Sequence, residues 1–230
     1  MAMPPENSGL SRSVEDYLKA IYGLSERGQS ASTSAIADIL MVQPASVTGM
    51  VKRMAESGLL EHVPYRGVRL TDRGQREALK VLRRHRIIEA YLCQRLGFPW
   101  DDVHEEAERL EHAASDDLVE RMAAALEFPS HDPHGAPIPT RAGEIEATDF
   151  TTLADAAPGA DLRVRAVRDE DPARLRTLEA KGLTTGARLR VDAIQEVVDH
   201  VAVRVGESEG EAQVVRDDLA RRIYVVTEEA

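Results

Sequence analysis

The sequence predicts a mainly α protein with small β parts, and three observations predict it. Apolar residues recur at helical spacing from Tyr17 to about Leu126, broken by one short hairpin. Pro129, Pro133, Pro137 and Pro139 then crowd residues 127–140, where they break helices and suggest a semi-rigid linker. From about Thr151 the pattern changes to short segments rich in β-formers.

Ser13-Val14-Glu15-Asp16 has the form of a capping box and opens a helix with apolar positions Tyr17, Leu18, Ile21 and Leu24, ended by Gly28. A second helix starts near Ser32 or Thr33 and runs through Leu40. After a short turn, Gln43-Pro44-Ala45-Ser46 starts a third, Pro44 suiting its first turn. Val47, Met50, Val51 and Met54 give that helix its apolar stripe, and Ser46, Thr48, Lys52 and Arg53 lie off it. Leu59–Val63 and Val68–Leu70 read as strands around Tyr65-Arg66-Gly67. Helix, helix, turn, helix, hairpin is the order of a winged helix-turn-helix.

Thr71 caps a long helix to about Leu96, which Gly97 stops; a helix carrying His104 follows, then one from Ser115 to Leu126. Their apolar surplus (Val81, Leu82, Ile88, Tyr91, Leu92, Leu110, Leu118, Met122, Leu126) predicts a dimer interface. In the tail, Leu162–Val167, Arg188–Ala193, His200–Val205 and Ile223–Val226 read as strands, interrupted by a helix over Pro172–Ala180. That pattern suits a small β-barrel of SH3-like type. The expected domains are a winged helix-turn-helix head (1–72), a helical metal-binding and dimerisation domain with its Pro-rich linker (73–140), and an SH3-like domain (150–230).

The chain of 230 residues carries a net charge of −11, unevenly spread. Residues 1–86 hold 13 Lys/Arg against 9 Asp/Glu, a net of +4, so the remainder carries −15. A basic front joined to an acidic remainder suits a DNA-binding head with a sensing or dimerising body. Met1–Ser8 lacks a basic segment and an apolar core, so no signal peptide is expected. No run reaches the roughly 20 apolar residues of a membrane helix. The single cysteine, Cys93, forms no intrachain disulfide, which fits a reducing cytoplasm.

Chemistry concentrates in Val103-His104-Glu105-Glu106-Ala107-Glu108-Arg109-Leu110-Glu111-His112. On a helix, His104, Glu108, Glu111 and His112 fall at i, i+4, i+7 and i+8, on one stripe. His85 and Glu89 repeat the i, i+4 spacing upstream. Imidazole plus carboxylate without thiolate favours manganese, iron or zinc. His131, Asp132 and His134 in the linker read as turn formers. The zincin pattern H-E-x-x-H is absent, since Glu108 stands where its second histidine belongs. No Gly-rich phosphate loop or G-x-S-x-G elbow occurs either, so no enzyme is expected.

With these pieces placed, the chain resembles the diphtheria toxin repressor family of metal-dependent transcriptional regulators, and within it the manganese-sensing branch. The resemblance rests on Val14–Tyr22, Pro44–Val51, Tyr65–Thr71, Arg84-His85-Arg86, Glu108–His112 and Gly135-Ala136-Pro137-Ile138-Pro139, all in one order and register. It implies a principal metal site of Asp16, Glu108, Glu111 and His112, and a second of His85, Glu89 and His104, completed by Glu170. It also implies DNA contacts from Gln43, Pro44, Ala45, Ser46 and Thr48, with Lys52, Arg53 and Arg66 on phosphate. The iron-sensing branch carries methionine and cysteine at the positions of Asp16 and Glu108, so two oxygen donors favour manganese here. One departure is Lys19, where the manganese branch has glutamate.

The expectation is a cytoplasmic, homodimeric, manganese-dependent repressor of metal-uptake genes, binding a palindromic operator in double-stranded DNA, with no membrane association. Mn²⁺ is the expected ion, Fe²⁺ the alternative, and Zn²⁺ or other divalent ions would bind in vitro. Rival readings are an iron-responsive regulator of the same family, a winged-helix regulator answering an organic ligand, and a metallohydrolase.

Overall fold

Helix α1 (Arg12–Glu26) begins two residues earlier than its capping-box pattern suggests. The Ser11 carbonyl already accepts the amides of Val14 and Glu15, at 2.8 and 3.1 Å, so Ser13 falls inside the first turn. The computed structural model describes residues 10–65, 67–147, 150–195, 200–206 and 212–227; Met1–Ser8 and Arg66 lie outside the described residues.

Helix α2 (Thr33–Leu40) is capped by Ser32, whose Oγ accepts the Ala35 amide at 3.1 Å, and it ends at Met41 in a left-handed conformation. Helix α3 (Pro44–Glu56) starts with Pro44 in its first turn, where the missing N–H costs nothing. Strands β1 (Leu60–Val63) and β2 (Gly67–Leu70) pair antiparallel, Leu60 opposite Leu70 and Val63 opposite Gly67. Gly67 is required by space as well as conformation. At φ +87 a Cβ would stand 2.2 Å from the Ala31 carbonyl oxygen, the same oxygen that accepts the Val68 amide.

These elements close on one core: Tyr17, Leu18 and Ile21 from α1, Ile36 from α2, Val47, Val51 and Met54 from α3, with Leu59, Leu60 and Val68 beneath the hairpin. Leu18, Ile21 and Ile36 are wholly buried, each contributing about 1.5–3 kcal/mol. The helix order, short turn and hairpin are those of a winged helix-turn-helix, as the pattern predicts.

Thr71 caps helix α4 (Asp72–Leu96), its Oγ1 accepting the Gly74 amide at 3.0 Å and donating to the Gly58 carbonyl at 2.8 Å. Helices α5 (Val103–Leu110) and α6 (Asp116–Ala125) follow. Here the structure corrects the single-helix stripe. Helix α5 stops at Leu110, whose carbonyl accepts the amides of both Ala113 and Ala114 at 3.0 Å. The chain must be extended again at Ser115, which caps α6, so Glu111 and His112 sit in a turn rather than on the helix.

The chain gathers into two compact units that are not consecutive in sequence. One comprises residues up to Ile88 with Glu108–Phe128 and Ile138–Glu146; the other comprises Glu89–Ala107, Pro129–Pro137 and the residues from Ala147 onward.

The second unit holds a six-stranded antiparallel sheet in the order β3 (Thr151–Thr152), β8 (Ile223–Thr227), β4 (Asp161–Val167), β5 (Arg188–Gln195), β6 (His200–Val205), β7 (Gln213–Arg216). Helix α7 (Pro172–Ala180) follows β4, and the short α8 (Asp217–Ala220) precedes β8. Register shifts at Val164/Ala166 and Val191/Ala193 bend the strands around a core of Val164, Leu175, Leu178, Leu183, Val191, Val203 and Ile223. The sheet is the SH3-like part of the expected fold. Strands β3 and β7 were not foreseen: the first is two residues long and the second begins on glutamine. In the same unit the Pro-rich stretch is pinned. Asp132 Oδ1 accepts the amides of His134 and Ala136, both at 2.9 Å, and a Cβ on Gly135 would meet the Arg165 carbonyl oxygen at 2.1 Å.

Candidate metal centre and nucleic-acid face

Within the first unit, Asp16 on α1 meets Glu111 and His112 from the turn after α5. His112 Nε2 lies 2.8 Å from Asp16 Oδ1 and 3.3 Å from Glu111 Oε1, and although buried it makes no hydrogen bond of acceptable geometry. Its other nitrogen is committed: Nδ1–H donates to Glu15 Oε2 at 2.7 Å. That bond leaves Nε2 as the nitrogen facing the two carboxylates, and loss of its proton to an incoming ion would turn its lone pair on them.

The fit to a divalent ion follows from these separations. Two ligands at neighbouring positions of an octahedral ion, with bonds of about 2.1 Å, stand about 3.0 Å apart. An imidazole nitrogen 2.8 and 3.3 Å from two carboxylate oxygens matches that spacing, and the all-nitrogen-and-oxygen donor set suits manganese, iron or zinc.

Glu15 was missed as a functional residue. It reads as part of a capping box, yet it is 3% exposed and paired with the buried Arg84, Nη2 to Oε1 at 3.1 Å. Arg84 also donates to the Glu111 carbonyl at 3.1 Å, so one guanidinium holds both the turn and the carboxylate that orients His112. The only signal in the sequence was its position next to Asp16.

Glu108, expected in the same site as Asp16, is bonded to the Lys19 ammonium, and its charge also acts on Asp16. Lys19 Nζ also donates to Glu111 Oε1 and Oε2, at 2.9 and 3.0 Å, and stands 3.3 Å from His85 Nδ1. His85 Nδ1 is itself 2.6 Å from Glu111 Oε2. Burial alone would lift the Glu111 carboxyl; the His85 hydrogen bond and the Lys19 charge outweigh it and bring it down to about 2. Burial likewise acts to depress Lys19, but Glu111 and Glu108 overcome it and raise the ammonium above its ordinary value. Asp16 is raised, by burial first, with His112 opposing.

The second expected site is divided between the units. His85 belongs to the first, where it bonds Glu111. In the second unit, His104 Nδ1 lies 3.2 Å from the buried Glu89 Oε1, and His104 Nε2 lies 4.0 Å from Glu170 Oε2. Glu89 also approaches Asp132 and His134. His134 Nε2 meets the Trp100 carbonyl at 2.7 Å.

On α3, Gln43, Pro44, Ala45, Ser46, Thr48, Lys52 and Arg53 are all exposed, while Val47, Val51 and Met54 are buried. The partition is the one the apolar stripe predicts. Thr48 Oγ1 donates to the Pro44 carbonyl at 3.2 Å. At the hairpin tip Tyr65 is fully exposed with φ 62, beside Arg66, which lies outside the described residues.

A three-helix core with an outward helix and a wing defines a winged-helix DNA-binding protein. Comparison with known proteins makes the class specific. Residues 9–68 match the family described as iron dependent repressor, N-terminal DNA binding domain. Residues 71–140 match its metal binding and dimerisation domain, and residues 151–227 match the FeoA domain. The diphtheria toxin repressor of Corynebacterium diphtheriae is 31% identical over 217 residues, covering 92% of this chain and 96% of that repressor. The iron-dependent repressor IdeR of Mycobacterium tuberculosis is 39% identical over 126 residues, 55% of each chain. A solved manganese-dependent transcriptional repressor, in complex with manganese, superposes with a TM-score of 0.86 at 36% identity over 93% of this chain and 99% of that one. The chain belongs to the diphtheria toxin repressor family of metal-dependent transcriptional repressors, with the family's DNA-binding and dimerising regions. Its relatives are repressors rather than enzymes. Among the described residues no single helix is long and apolar enough to cross a membrane.

Proposed function

We propose that the protein is a cytoplasmic, manganese-responsive repressor of metal-uptake genes, acting as a homodimer on a palindromic operator. One observation carries the reading: a carboxylate on the first helix of the DNA-binding head stands 2.8 Å from an imidazole nitrogen held outside that head, in the turn after α5. Asp16, Glu111 and His112 would hold the ion, and Glu89, His104 and Glu170 would form the supporting site. When bound, the ion supplies the positive charge that lets the Asp16 and Glu111 carboxylates approach one another. Oxygen and imidazole donors, with no sulfur, favour Mn²⁺ over softer ions.

The residues transmit this locally. Asp16 is followed on α1 by Tyr17, Leu18 and Ile21, which pack in the same core as Val47 and Val51 of α3. Fixing Asp16 therefore fixes the helix against which the recognition helix rests. Metal and DNA affinity are then coupled in both directions, with a coupling of about 1–3 kcal/mol, or roughly 5–150-fold. A dimer presents two α3 helices to successive major grooves about 34 Å apart. Gln43 to Thr48 face base edges; Lys52, Arg53 and Arg66 serve phosphates.

The test is a titration of Mn²⁺, anaerobic Fe²⁺ and Zn²⁺ against binding to operator DNA, with wild type and Asp16→Ala. Metal-dependent binding by wild type and only metal-independent binding by Asp16→Ala is expected. An undiminished Mn²⁺ response in Asp16→Ala would place the switch elsewhere.

A further inference from the structure

We infer that the Lys19 ammonium occupies a second cation seat beside the principal site, so that this centre takes a single divalent ion. The inference deepens the metal-responsive reading above and rests on it.

The Glu111 carboxylate is shared by two neighbouring groups. Its Oε1 lies 3.3 Å from His112 Nε2 on one side and 2.9 Å from Lys19 Nζ on the other. Around Nζ are the Glu108 carboxylate, both Glu111 oxygens at 2.9 and 3.0 Å, and His85 Nδ1 at 3.3 Å. Two carboxylates converge on Nζ, with the His85 imidazole beside them, hydrogen-bonded to Glu111 Oε2 at 2.6 Å; these are groups that a divalent ion would gather, and here the point is filled by an ammonium. The lysine side chain is 20% exposed, Glu108 37% and Glu111 wholly buried, so the seat is half-buried, closed on the Glu111 side and open to solvent at Glu108.

Charge closes the argument. Glu15 is paired with Arg84, and Arg12 acts on Asp16 from outside the site; the carboxylates that line the two seats are Asp16, Glu108 and Glu111, with three negative charges. Lys19 and one divalent ion balance them. A second divalent ion would have to displace the ammonium or lie against it, leaving uncompensated positive charge in a partly buried site. Replacing Lys19 with glutamate gives four negative charges, which two divalent ions balance. Lys19 thus sets stoichiometry, and Glu108 serves the centre through Lys19 rather than as a ligand of the first ion.

The experiment counts Mn²⁺ bound per full-length subunit after equilibrium dialysis and records the low-temperature electron paramagnetic resonance spectrum, for wild type, Lys19→Met and Lys19→Glu. Wild type is expected to show only uncoupled Mn²⁺. Lys19→Glu should take up one more ion per subunit and show the signal of a coupled pair, with Lys19→Met intermediate. A coupled pair in wild type overturns the inference even if neither variant folds. So does an unchanged ion count in variants that keep wild-type circular dichroism. Asp16→Ala separates the two readings. If it binds as much Mn²⁺ as wild type, the metal-responsive reading fails and the inference with it; if it loses one ion while Lys19→Glu gains none, only the inference fails.

Discussion

Changing Glu15 to Gln tests how much of the metal affinity comes from a residue that would never touch the ion. In the native protein Glu15 accepts the His112 Nδ1 proton at 2.7 Å through Oε2 and pairs with Arg84 through Oε1 at 3.1 Å. An amide of the same shape can serve only one of these partners. Turning its oxygen to His112 aims its NH₂ at the guanidinium; turning it to Arg84 leaves two donors facing each other at His112. Loss of a carboxylate that orients a metal-binding imidazole lowers metal affinity by about 10–100-fold, or about 1.4–2.7 kcal/mol. Breaking a buried ion pair costs about 3–5 kcal/mol when the remaining charge is left alone. Both residues are nearly inaccessible, at 3% and 4% exposure, so the metal-free variant should lose stability near the lower end of that range, because the amide still accepts one bond. The assay is Mn²⁺ titration of the full chain by calorimetry, paired with urea denaturation in chelator. A folded variant with wild-type Mn²⁺ affinity would refute the orienting role of Glu15.

Gly67→Ala should destabilise the head by about 2–4 kcal/mol, since the new methyl meets the Ala31 carbonyl oxygen at 2.2 Å in a left-handed backbone; denaturation midpoints that match wild type would remove the close approach as a constraint. The metal-free protein should also lose stability in acid. Glu111 ionises at about 2 in the fold against an ordinary 4.5, so its contribution of about 3 kcal/mol is present above pH 4.5 and lost as pH falls toward 2. Asp16, raised by burial, acts in the opposite sense. Denaturation curves at pH 5, 4 and 3 check this: the slope should flatten in Glu111→Gln, and an identical slope in both proteins would show that Glu111 does not control it.

What the sequence by itself determined was most of what depends on spacing within one element, the start of α1 excepted. Ser32, Pro44, Thr71 and Ser115 mark helix starts because caps and first-turn prolines act on backbone groups within three or four residues. The buried and exposed faces of α3 follow from the apolar stripe of Val47, Val51 and Met54, because 3.6 residues per turn fixes which side chains share a face. Oxygen and nitrogen donors without a thiolate were equally legible as metal-binding chemistry.

Only the tertiary structure decided how those donors are distributed. The pattern from His104 to His112 reads as one helical stripe, but the turn after Leu110 sends Glu111 and His112 to Asp16, leaving His104 with Glu89. Glu108 was assigned to the ion by resemblance, and Lys19, 89 residues away in sequence, claims it. Glu15 and Arg84, separated by 69 residues, form the buried pair that aims His112. These pairings depend on where packing carries separate segments, and local spacing holds no information about which charge will meet which. In this protein the donor chemistry is written locally, while the pairing of its charged groups is set by contacts across the fold.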